Sequence, residues 1–176
     1  MRKAVFLDRD GVVNRKAPEG HYITRWEDME FLPGVAEAIT ILHRAGFSVI
    51  VVSNQRCVAK GLLSLADLEH LHRRMLEHFA SAGAAINAVY YCPHDVQPPC
   101  SCRKPAPGML LQAAREQQID LSGSWMVGDS DIDIQAGRSA GCRTVRILRA
   151  GVIPEVQADL SVASLLEAVQ GLIQTC

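Results

Sequence analysis

Short apolar runs alternate along this chain with longer segments whose apolar residues recur every three or four positions. That alternation predicts strand, helix, strand, helix from end to end. Ala4 to Leu7 is apolar without a break, the signature of a strand covered on both faces. Ser48 to Val52, Ala88 to Tyr91, Trp125 to Val127 and Thr144 to Leu148 read the same way, and a short strand is expected near Leu160. The helix opened by Leu32-Pro33-Gly34 carries Val35, Ala38, Ile39 and Leu42 on one face and ends at Gly46. A longer one starts from Ser64 as N-cap and runs to Ser81, with Leu65, Leu68, Leu71, Met75 and Phe79 as its stripe. On this spacing His70, His72 and His78 belong to the helix surface. Further helices begin at Pro107, reach about Ala140, and span Ser164 to Ile173. The pattern predicts a Rossmann-like three-layer α/β/α sandwich with a mainly parallel sheet, one domain over residues 1–176.

The polar punctuation between these elements falls where such a sheet binds ligands, at the carboxyl ends of its strands. The first strand runs into Asp8-Arg9-Asp10-Gly11, the second into Ser53-Asn54-Gln55, and the fourth into Gly128-Asp129-Ser130-Asp131-Ile132-Asp133. Two carboxylates one residue apart need a divalent cation or a retained proton to offset their repulsion. Lys104 adds a cation, and Ser53 a hydroxyl. A phosphoryl group in flight calls for these parts: a metal between its oxygens and the acids, a cation on its equatorial oxygens, and hydroxyl or N–H donors. The long polar segment from Asn14 to Phe31 is expected to fold over the mouth of such a site.

Six cysteines are present, and three of them share eleven residues with a histidine: Cys92-Pro93-His94, then Cys100-Ser101-Cys102. Three thiolates and an imidazole make a complete tetrahedral shell, so the expected ion is a structural Zn2+. Arg103 and Lys104 follow the last ligand directly, and a metal holding Cys102 would fix where both cations point.

The net charge of −1 makes no electrostatic case for nucleic acid or an anionic membrane. No apolar run approaches a membrane span, and the first strand begins without a leader pattern, so a cytoplasmic protein is expected.

Through Asp8-Arg9-Asp10-Gly11, Ser53-Asn54, Lys104-Pro105 and Gly128-Asp129-Ser-Asp-Ile-Asp133 the chain resembles the haloacid dehalogenase superfamily of phosphohydrolases. Phe6 to Asn14, Ser53-Asn-Gln55, Tyr91-Cys-Pro-His94, Cys100 to Pro105 and Pro107-Gly-Met109 make it similar to the branch containing the heptose 1,7-bisphosphate and histidinol phosphatases. The resemblance implies an aspartyl-phosphate formed on Asp8, with Asp10 as general acid and then base. It implies Ser53 and Lys104 on the transferring phosphoryl group. Mg2+ would be held by Asp8, the Asp10 main-chain carbonyl and Asp129, with Asp133 in support. Members of this branch lack a large cap domain, and here the segments 55–64 and 129–144 are too short to form one.

Arg103 beside Lys104 suggests a second anionic group on the substrate, since a guanidinium fork grips such groups bidentately. Lys16, Arg56, Asn54 and Gln55 could border the same mouth, and a small phosphorylated metabolite, a sugar bisphosphate, fits best. Histidinol phosphate or another small sugar phosphate is the alternative, with Glu19 as the carboxylate for a cationic substrate. Arg56-Cys57 departs from the Ser-Gly of many relatives, which bears on local substrate contacts. Small size and the missing cap point to a monomer. A signalling receiver domain would need its acceptor Asp after the third strand, where Tyr91-Cys92 stands, and a zinc-stabilised interaction module would leave the strand-end acids unexplained.

Overall fold

The computed structural model describes residues 1–174. Its strands are β1 (Ala4–Leu7), β2 (Ser48–Asn54), β3 (Ala88–Cys92), β4 (Trp125–Gly128), β5 (Arg143–Ile147) and β6 (Leu160–Val162). Its α-helices are α1 (Val35–Arg44), α2 (Leu65–Ser81), α3 (Gly108–Gln117), α4 (Asp131–Ala140) and α5 (Leu165–Gln174). The strands form one sheet in the order β3-β2-β1-β4-β5-β6, and every pairing is parallel. The chain winds outward from β1 in both directions, so a crevice opens beyond β1 where the winding reverses.

The alternation of side chains along each strand builds the two apolar layers. Val5 and Leu7 of β1 pack with α1, α2 and α5, whereas Ala4 and Phe6 face α3 and α4. All four are fully buried, the larger ones contributing roughly 2 kcal/mol each by leaving water. That double burial is why β1 has no polar residue until Asp8.

Ser64 caps α2 as expected, its hydroxyl accepting from the Asp67 N–H at 3.1 Å. Two details of this helix differ from the sequence reading. Leu65 in its first turn is 46% exposed, and His72 is buried and takes a place on the inner face. β2 also runs two residues further than the apolar pattern suggests, pairing Asn54 with Cys92, so Ser53 lies within the sheet. Gly128 lets α4 start hard against β4: a β-carbon there would meet the Asp133 side chain.

Candidate active site

Asp8 leaves β1, Asp129 leaves β4, and Asp133 sits in the first turn of α4, so three carboxylates from two adjacent strands and the helix after the second meet at the crevice. One oxygen from each lies within 4.8 Å of the others, and all three residues are buried. The start of α4 fixes Asp133, whose Oδ2 accepts from the N–H of Ser130 at 3.1 Å and from its hydroxyl at 2.5 Å. Lys104 is buried beside them. Its ammonium contacts Asp8 Oδ1 at 2.7 Å and Asp133 Oδ1 at 2.7 Å, and donates to the Val52 carbonyl at 2.9 Å. Burial alone would favour neutral Lys104, but Asp133 and Asp8 outweigh it and hold the ammonium charged. Burial pushes Asp8 up to about 7 against the pull of Lys104, with Asp133, Asp129 and Asp10 adding to the rise. Burial also raises Asp129, opposed by Lys16 and Arg149. Asp129 Oδ1 is buried without a hydrogen-bond partner. A cluster of hard oxygen donors in which Asp8 and Asp129 resist ionisation and Asp129 Oδ1 is left over suits Mg2+.

Asp10 stands differently from the expectation of a retained proton. Burial works to raise it, but Arg9 lies across its carboxylate at 3.0 Å, and Asn14 and Gln55 donate to it at 2.9 and 3.1 Å; together they hold it below the usual range. Arg9 is itself buried, and its Nη1 meets His72 Nε2 at 3.1 Å. No local pattern marks an arginine between two acids as buried. His72 could have been found, because it follows Leu71 on the same face as Leu68, Met75 and Phe79.

The crevice widens into a cleft of about 310 Å3 lined by Ser53, Gln55, Lys16, Glu19, Arg103 and neighbouring residues. The segment after Asn14 does cover this mouth, bringing His21 and Tyr22 to its lining. Ser53 Oγ accepts from the Gln55 amide at 2.7 Å. Asn54 lines the cleft, and its amide donates to the Lys104 carbonyl and accepts from the Lys104 N–H, both at 3.0 Å, so it also aligns the lysine. Arg56 is turned to Asp95 at 2.6 Å and does not line the cleft, because its anion partner lies on the next loop.

Cys92, His94, Cys100 and Cys102 converge on one point beside β3. Their sulfur–sulfur separations are 3.2 to 3.6 Å, and His94 Nδ1 lies 3.2 Å from Cys102 Sγ and 3.6 Å from Cys92 Sγ. A tetrahedron with Zn–S bonds of about 2.3 Å has edges of about 3.8 Å, so the four atoms need only a slight expansion to hold the ion. Burial opposes ionisation of Cys100, but the Arg103 N–H and the Cys102 and Cys92 thiols overcome it and bring Cys100 down to about 6. Arg103 in turn donates to the His94 carbonyl at 3.2 Å.

Residues 101–164 match the HAD-hydrolase-like family model. A D-glycero-beta-D-manno-heptose-1,7-bisphosphate 7-phosphatase of Pseudomonas aeruginosa is 41% identical over 146 residues, 83% of this chain and 81% of its own. The protein of that name from Escherichia coli K12 is 37% identical over 180 residues, 96% of this chain and 93% of its own. The crystal structure of the D,D-heptose 1,7-bisphosphate phosphatase from B. bronchiseptica, complexed with magnesium and phosphate, superposes with a TM-score of 0.87 at 34% identity, covering 99% of both chains.

Proposed function

Because the chain belongs to the haloacid dehalogenase-like hydrolases, we propose that it is a magnesium-dependent phosphatase that removes the 7-phosphate of D-glycero-D-manno-heptose 1,7-bisphosphate through an aspartyl-phosphate. The observation that carries the chemistry is the meeting of Asp8, Asp129, Asp133 and Lys104 at the floor of the cleft. The substrate rests on the relatives, which carry that activity in their names. All six strands share one sheet, which supports treating the chain as a single domain.

In this reading Asp8 Oδ2 attacks phosphorus while Lys104 holds Oδ1, so the carboxylate presents one oxygen in a set direction. Asp8, the Asp10 carbonyl and Asp129 would hold Mg2+, which would supply Lewis-acid neutralisation of the phosphoryl oxygens. Asp133 keeps Lys104 charged and in place. Lys104 and Ser53 face the transferring group from the β2 side, and Gln55 orients the Ser53 hydroxyl. Asp10 is held at the leaving-group side by Arg9, Asn14 and Gln55. An arriving phosphate dianion counters Arg9 and favours the protonated Asp10, which gives its proton to the leaving oxygen as the bond from phosphorus to that oxygen breaks; Asp10, now a carboxylate, takes a proton from the water whose oxygen attacks phosphorus, and the Asp8–phosphorus bond breaks to return the Asp8 carboxylate and release phosphate. Arg103 and Lys16, at the cleft wall, suit the second phosphate. The Cys92, His94, Cys100, Cys102 set would hold a structural Zn2+.

The test is phosphate release with Mg2+ from heptose 1,7-bisphosphate and from histidinol phosphate, compared as kcat/KM. A preference of at least about 100-fold for the bisphosphate is expected, since the second phosphate contributes charge-assisted hydrogen bonds. Equal turnover, or a preference for histidinol phosphate, would remove the heptose assignment and leave the hydrolase. Asp8→Asn should fold and lose at least about 10^4-fold in kcat, because an amide does not attack phosphorus; appreciable turnover would take the nucleophile's role from Asp8.

A further inference from the structure

Asp129 is held unlike the other acids of the site. Asp8, Asp10 and Asp133 all accept hydrogen bonds. Among the described residues Asp129, whose side chain is 2% exposed, has charge contacts only: Arg149 Nε packs on its Oδ2 without hydrogen-bond geometry, and Lys16 Nζ stands 3.7 Å from the same oxygen. Lys16 comes from the stretch after Asn14 that covers the mouth, and Arg149 from just beyond the carboxyl end of β5. Both are partly open to water, at 32% for Arg149 and 51% for Lys16. The guanidinium lies in the space above Gly11, where a β-carbon would meet Arg149 and Asp129 Oδ2.

Each of these four acids has a cationic partner. Arg9 offsets Asp10, Lys104 lies between Asp8 and Asp133, and Arg149 with Lys16 covers Asp129. A divalent ion bound to Asp129 brings two positive charges within a few ångströms of Arg149, where repulsion is poorly screened. We propose that Arg149, assisted by Lys16, is an exchangeable counter-cation of Asp129, seated there when the metal is absent and released to the mouth when it binds. The released pair then faces an incoming phosphorylated substrate, so metal loading and anion binding are coupled through the same two side chains. This rests on the assignment of Asp129 to the metal.

The experiment is calorimetric titration of Mg2+ into the zinc-loaded, magnesium-free protein, with melting temperatures taken alongside. Arg149→Gln should bind Mg2+ roughly three- to tenfold more tightly, because one repelling charge is gone. Its metal-free melting temperature should fall below wild type, and saturating Mg2+ should narrow the gap. Arg149→Lys, which keeps the charge, should stay near wild type. Unchanged or weaker Mg2+ binding by folded Arg149→Gln overturns the exchange. Should that variant not fold, Lys16→Gln decides: a smaller tightening supports the proposal, and none overturns it. Asp129→Asn separates the two readings. If it binds Mg2+ like wild type, the metal assignment itself falls and the exchange with it; if it loses binding while Arg149→Gln is unaltered, only the exchange falls.

Discussion

His72 and Arg9 illustrate how a buried pair behind the acids sets the conditions under which the site exists. A guanidinium can only donate, so His72 Nε2 accepts from Arg9 and the neutral ring carries its hydrogen on Nδ1, buried without a protein partner. Burial, with Arg9 adding to it, lowers His72 from 6.5 to about 3, so the folded protein keeps the ring neutral where an unfolded chain would protonate it. The contribution is therefore complete above pH 6.5 and is lost progressively as pH falls toward 3, with a slope approaching about 1.4 kcal/mol per pH unit. Urea melts between pH 6.5 and 4 should show a shallower decline for His72→Gln than for wild type; identical slopes would mean that His72 protonates as readily folded as unfolded. At this scale the sequence was readable where chemistry demanded a residue type at a strand end, as for Asp8, Ser53 and Asp129. It was unreadable where a partner decides orientation. Arg56 looked available for substrate until Asp95, on another loop, was seen to take it, and nothing near Arg149 in the chain signals that it reaches back across the crevice to Asp129.

The connection from β3 to α3 carries the thiolate cluster and Lys104 on a single stretch, and three contacts fix its course. Asn54 grips the Lys104 backbone on both sides, Arg103 is tied to the His94 carbonyl, and the Gly108 N–H donates to Ser101 at 3.0 Å where a β-carbon would collide with the loop backbone. An ion seated among Cys92, His94, Cys100 and Cys102 closes the fourth side of that frame. We expect purified protein to contain stoichiometric zinc, and Cys100→Ser to lose it with a drop in melting temperature and at least a tenfold fall in kcat/KM, because Lys104 and Arg103 are no longer aimed. Full kcat/KM in protein shown to be zinc-free would separate the loop from the chemistry. That Cys92, His94, Cys100 and Cys102 meet was legible from residue type and spacing alone. The roles of Asn54 and Gly108 were not, because each depends on which backbone happens to lie opposite.

Across the whole molecule, the apolar runs were sufficient to anticipate the strands and α-helices of the described residues, because β1, β4 and residues 49–52 of β2, buried on both faces, carry no polar residue to blur the pattern. Their spatial order was not written locally; it follows from which faces pack together. No helix among the described residues is long and apolar enough to cross a membrane. The central position of β1 also governs how the molecule comes into being. Val5 pairs with Val49 on one side and with Trp125 on the other, and no pairing in the sheet joins strands through a tight turn. Closing such distant contacts is slow, and as the chain is synthesised from its N-terminus β1 keeps an open, wholly apolar edge until β4 has been made. Asp129 follows β4 directly, so its approach to Asp8 waits until β4 has paired with β1, by which point α1, α2 and α3 have been made and can pack around the carboxylates as they gather.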